Sequence, residues 1–154
     1  MDKNRKRFAF VFGALTLFIT LFIFWNSLQT GEESGMQSDA IVNIAKKIFG
    51  FFGITVKDYN LGVFVRKAAH FSEYLVLCVF ASLFIINLFS QRFSGFAPVY
   101  CGIVAVCDEF IFQMLTAGRS PQWTDVLIDF GGALTGLGIL FLIISIRKKK
   151  AKRL

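Results

Sequence analysis

Proline occurs twice in these 154 residues, histidine once and cysteine three times. So little proline leaves long helices uninterrupted. The spacing of the scarce metal and redox residues excludes the common signatures: there is no H-E-x-x-H, and Cys78, Cys101 and Cys107 form no C-x-x-C pair. All three lie in apolar runs and read as free thiols that behave as small hydrophobes. Ser72 and Ser120 lack the G-x-S-x-G context of a nucleophile elbow. Charge is scarce too, at 18% of residues, whereas 55% are hydrophobic and 20 are Phe. That balance excludes a soluble globule and leaves an integral membrane protein forming a single domain over 1–154.

The net charge of +7 is a matter of topology. Ten of the 17 basic residues sit at the two ends, in Lys3, Arg5, Lys6, Arg7, Arg147, Lys148, Lys149, Lys150, Lys152 and Arg153. Without these tails and Asp2, seven basic residues face nine acidic ones, so no nucleic-acid patch remains. Apolar runs of spanning length predict four transmembrane helices at about 8–25, 65–89, 98–115 and 123–146, an all-α bundle. No small-x-small cleavage site follows the first run, which therefore reads as an uncleaved helix. The Lys/Arg bias puts both termini in the cytoplasm.

The one sizeable loop opens with the polar TGEESG, which reads as flexible. Within it, 39–52 is amphipathic: Ile41, Ile44, Ala45, Ile48, Phe49 and Phe52 share one side, and Asn43, Lys46, Lys47 and Gly50 the other. At 14 residues this helix is too short to span; it either lies in the outer interface or forms a lid over the helix ends.

Against this apolar background the polar and ionisable residues stand out; a charged one costs roughly 2.5 to 3.5 kcal/mol at a helix centre. His70, Glu73 and Tyr74 open the second span; Asp108, Glu109 and Gln113 lie late in the third; Arg119 is in the following tight loop; Asp125 and Asp129 open the fourth. With the expected topology all gather at the outer side as a polar pocket. Glu109 and Gln113, four apart, share a helix face, from which Asp108 is rotated by about 100°. Asp125, Asp129, Gly132 and Gly136 follow at i, i+4, i+7 and i+11, one stripe that should meet protein, with the glycines as helix-packing positions. Arg119 and Arg66 are the available counter-charges. Mutual pairing could make the set interhelical glue; His70, Glu73 and Asp129 are legal zinc or manganese ligands, but without close spacing no metal and no cofactor is expected. General acid/base work by His70 with a carboxylate is chemically reasonable, and nothing in the residues selects catalysis over binding.

Three blocks in order, RKAAHFSEYLVL, DEFIFQ and AGRSPQWTDVLIDFGGALTG, resemble the signature blocks of the VanZ-like family over roughly 66–138. These are small bacterial membrane proteins named after a factor linked to resistance to the glycopeptide antibiotic teicoplanin. The resemblance places recurrent polar positions at Lys67, His70, Glu73, Tyr74, the acidic pair, Gln113, Arg119, Asp125, Asp129 and Gly132. One departure stands out: family members commonly have an acidic pair, one residue, His and Gln, whereas Phe110, Ile111 and Phe112 precede Gln113 here. Either the helix is locally bulged or Glu109 takes the place of the first acid, and a second histidine is absent. The resemblance implies an envelope protein in the cell membrane that binds or modifies a lipid or cell-wall precursor and affects glycopeptide susceptibility. The alternatives are a small proton- or cation-coupled transporter, which with four spans would have to form a homo-oligomer, and a scaffold without chemistry.

Overall fold

The computed structural model describes residues 2–51 and 58–151, which are helical throughout apart from short turns. Helix α1 runs over Lys3–Ser27, α2 over Gly31–Phe51, α3 over Asp58–Leu88, α4 over Phe96–Cys107 and α5 over Trp123–Ala151. A 3-10 turn, Gln91–Phe93, joins α3 to α4, and α4 continues as a π-helical turn, Asp108–Phe112, and a 3-10 turn, Gln113–Leu115. Four segments are long and apolar enough to cross a membrane: Lys3–Ser27, Leu61–Leu88, Gln91–Leu115 and Trp123–Ala151.

Burial is reversed relative to a soluble bundle. Phe10, Phe18, Leu127 and Leu115 lie on the outside, whereas the packed interior is made of Ala81, Ser82, Ala97, Cys101, Ala105 and Ala133 around Tyr74 and Leu77. Since lipid tails solvate Phe and Leu as well as protein does, small residues are what lets helices approach. The central helix is α3, packed between α1 and α5, with α4 closing against α5. Gly132 and Gly136 of α5 rest directly on the main chain of Phe71 and Leu75 in α3.

The helices alternate in direction, and side-chain bonds fix which ends meet. Arg5 donates to the carbonyls of Ile86 (2.9 Å) and Phe89 (3.0 Å), covering the C-terminal end of α3 where carbonyls lack partners. Lys148 donates to Gln91 Oε1 at 2.8 Å. Both basic tails therefore lie at one end of the bundle, and the candidate polar residues at the other.

Two expectations are corrected. The TGEESG stretch is the start of α2, which begins at Gly31 and not at 39. Thr30 and Glu33 form a capping box: Glu33 N–H donates to Thr30 Oγ1 (3.2 Å), and Thr30 N–H donates back to Glu33 Oε2 (2.9 Å). The backbone hydrogen bond from Thr30 holds the Glu33 carboxyl below its ordinary value. Gly31 is needed at this point, because a Cβ there would stand 2.5 Å from the Gly118 carbonyl oxygen. The second span also starts earlier than 65: its helix begins at Asp58, in polar turns that a hydropathy pattern does not register. Phe52, the expected end of the amphipathic helix, lies outside the described residues. In α2, Ile41, Ile44 and Ile48 are exposed and Val42 is buried.

Candidate functional site

Three helices bring the polar residues to one end. On α3, Arg66, His70 and Glu73 descend one face at helical spacing, and Tyr74 turns fully into the bundle. His70, Glu73, Arg66 and Arg119, with Asn26 and Ser27 of α1 and Ser34, Gln37 and Ser38 of α2, line a cavity of about 110 Å³. A second, of about 380 Å³, adjoins it and shares Ser34, Ser38, Arg66 and Arg119.

Asn26 organises the inner wall. Its amide donates to Glu73 Oε1 at 2.9 Å, and its carbonyl accepts from Arg119 at 3.1 Å. Arg119 was expected as a counter-charge for the carboxylates; its hydrogen bond goes instead to the end of α1, where unsatisfied carbonyls carry partial negative charge. Burial pulls the Arg119 guanidinium below its ordinary value and Arg66 adds repulsion, opposed by the attraction of Asp108, Glu109 and Glu73. Two cations thus share one cavity, and neither makes an ion pair among the described residues.

Behind His70 lies a denser group. Asp108, Glu109 and Asp129 are 0%, 1% and 1% exposed. His70 Nδ1 stands 3.5 Å from Asp129 Oδ1, an ion pair only if the imidazole is protonated, and neither atom makes a hydrogen bond. Potential ligand atoms of His70, Asp108 and Asp129 all lie within 4.8 Å of one another. Two charged carboxylates at that separation repel by upwards of roughly 3 kcal/mol at an effective dielectric of 20. Asp108 Oδ1, both Glu109 oxygens and the Tyr74 hydroxyl are likewise buried without a partner.

The π-helical turn explains how consecutive acids are both inside. An α-helix turns neighbours about 100° apart, whereas the widened turn at Asp108–Phe112 keeps Asp108 and Glu109 both buried. Of the two readings of the altered spacing, the structure has the bulge. Gln113 consequently pairs five residues back, its Nε2 at 3.5 Å from Asp108 Oδ2, and not with Glu109 at four. Asp125 belongs elsewhere: it is 5% exposed and paired with Lys67. Sequence reasoning weighted Arg119 as the counter-ion and missed Lys67 in that role, although the family blocks contain it. It also missed Asn26, whose signal was an amide in the last turn of an otherwise apolar helix.

With this arrangement in view, the comparison with known families is decisive. The VanZ/LLP1 family model matches residues 12–144. The chain belongs to the VanZ/LLP1 family. That match takes in all four candidate spans in whole or in part and every residue of the polar site, more than the three blocks alone. No curated protein and no solved structure matches the chain. For this VanZ/LLP1 protein the chemistry must therefore be argued from the site itself.

Proposed function

We propose that this VanZ/LLP1 protein binds the anionic headgroup of a cell-envelope lipid, or of a lipid-linked cell-wall precursor, in the cavity at the end of the bundle away from the basic tails. The observation that carries the reading is the pair Arg66 and Arg119, two cations without an ion-pair partner among the described residues, on the wall of a cavity floored by polar groups. Guanidinium forks suit phosphate and carboxylate oxygens. The hydroxyls of Ser34 and Ser38 and the amide of Gln37 add neutral groups that can bond the rest of a headgroup.

The amphipathic helix α2 supports the same reading. Its Ile44 and Ile48 face outward, whereas Ser34, Ser38 and Ile41 line the cavity. Such a helix lies in the membrane interface, apolar side in lipid, and roofs a site that a headgroup enters from the bilayer. Both termini are cytoplasmic in this proposal, since each carries a basic cluster at the same end of the bundle. Occupancy of envelope lipids or precursors at the outer face would then alter glycopeptide susceptibility, including to teicoplanin.

The test is lipid retention. Native mass spectrometry of protein extracted from mixed bilayers should show a phosphate monoester or diphosphate lipid retained in preference to phosphatidylcholine. Arg66→Gln and Arg119→Gln should each lower that preference about tenfold, the loss of one charge-assisted contact. Equal retention of anionic and zwitterionic lipids by wild type would sink the proposal.

A further inference from the structure

We propose that His70, Asp108 and Asp129 form a binding site for a divalent metal ion of nitrogen and oxygen preference, Zn2+ or Mn2+, in the floor behind the headgroup cavity. The donor set is one imidazole nitrogen and two carboxylates, drawn from α3, the π-helical turn and α5. Such a mixture suits these ions better than the oxygen-only preference of Mg2+ or Ca2+. The 3.5 Å between His70 Nδ1 and Asp129 Oδ1 matches the edge, about 3.4 Å, of a tetrahedral site with bonds of about 2.1 Å. The longest separation in the trio, at most 4.8 Å, must contract by up to about 1.4 Å, which side-chain torsions can supply.

Independent of that spacing, the facing atoms are unsatisfied. Asp129 is 1% exposed and its Oδ1 has no hydrogen-bond partner; the same holds for Oδ1 of Asp108, at 0%. Buried carboxylates without hydrogen bonds are costly unless a cation or a proton answers them. Lys67 is engaged with Asp125, and among the described residues neither Arg66 nor Arg119 comes within ion-pair distance of Asp108 or Asp129. A doubly charged ion between two carboxylates and a neutral imidazole leaves no net charge. Glu109, with both oxygens unpartnered, and the Gln113 amide at 3.5 Å from Asp108 stand ready to hold a metal-bound water or to orient a ligand. An ion reaches the site past His70, which lines the cavity and keeps 12% of its side chain exposed.

The sequence offers His70 and Asp129 as legal zinc or manganese ligands with Glu73 as the third; the structure puts Asp108 in that place and engages Glu73 with Asn26. The inference also does not depend on the headgroup reading: its experiment uses metal alone. Full-length protein, purified in detergent without a histidine tag and stripped with a chelator, is titrated with ZnCl2 and with MnCl2, and bound metal is counted after gel filtration. One ion per chain is expected for at least one metal. Asp108→Asn and Asp129→Asn should weaken binding 100-fold or more; Glu73→Gln, whose carboxylate already bonds Asn26, should bind as wild type does. X-ray absorption at the K-edge of the bound metal supplies a readout that needs no variant. The chain has a single histidine, so the outer-shell scattering of one imidazole identifies His70 even if the Asp variants fail to fold. Absence of stoichiometric binding for both ions, a bound ion without imidazole scattering, or undiminished binding by both Asp variants would each overturn the proposal, and would leave the headgroup site standing.

Discussion

Gly132→Ala adds one methyl group at the point where α5 crosses α3, and its effect can be worked out from what that methyl meets. A Cβ on Gly132 would stand 3.0 Å from the carbonyl carbon of Phe71 and closer still to its oxygen. Carbon pairs rest at about 3.5 to 4.0 Å, so the helices must part by about 1 Å. Main chain is the obstacle, and it has no rotamer to turn away. Overpacking of this kind costs about 1–3 kcal/mol, set against about 0.8–1 kcal/mol gained because Ala favours a helix over Gly. Gly138→Ala isolates that gain, since a Cβ there meets nothing within 4 Å. The difference between the two variants is therefore the steric cost alone. At about 2–4 °C per kcal/mol for a chain of this length, Gly132→Ala should melt roughly 2 to 12 °C below Gly138→Ala in detergent. Gly136→Ala, which would stand 3.2 Å from the Leu75 carbonyl carbon, should follow Gly132→Ala. Equal melting of the Gly132 and Gly138 variants would show that α5 does not rest on α3 through this stripe.

Other outcomes follow from the same contacts. Glu109→Gln removes a buried charge with two unpartnered oxygens and keeps its shape, so the melting temperature should hold or rise; a large fall would mean that the carboxylate is paired in the membrane. Thr30→Ala removes one half of the capping box and should destabilise the start of α2 by about 1 kcal/mol, seen as faster amide exchange over 31–36. Because the folded state holds Glu33 below its ordinary value, its stabilising contact is fully present above the unfolded carboxylate pKa. That contact is lost as pH falls through the folded value, so exchange in this turn should quicken on acidification into that range and stay flat at neutral pH. A cysteine introduced at the exposed Ser120 should react with an impermeant reagent added outside cells, and one at Lys150 should not; the reverse pattern would put the cavity on the cytoplasmic side.

Hydropathy and charge were sufficient for the four helices and for the common end of the basic tails, because length and apolarity are local properties of the chain. The capping box at Thr30 and Glu33 was equally local, yet a polar stretch beginning with Thr and Gly also fits a flexible loop; the helix becomes evident only once Glu33 is seen bonding back to Thr30. The stripe of Asp129, Gly132 and Gly136 was legible from period alone, and all three are buried. Partner choice was not legible. Charge bookkeeping offered Arg119 and Arg66 as the counter-charges, whereas Lys67 meets Asp125 and Arg119 covers the end of α1, since which cation reaches which acid depends on how α3 is rotated against α5. The π-helical turn was foreshadowed only by the altered spacing before Gln113, and its consequence, that Asp108 and Glu109 are both inside, required the backbone.

The central claim, that Arg66 and Arg119 hold an anionic headgroup in the cavity under α2, is tested most directly by an experimental structure in nanodiscs containing a phosphate monoester lipid. The account predicts density for a headgroup between the two guanidinium groups, with its acyl chain leaving toward the bilayer. A cavity filled by solvent alone, with lipid density confined to the outer surface of the helices, would contradict it.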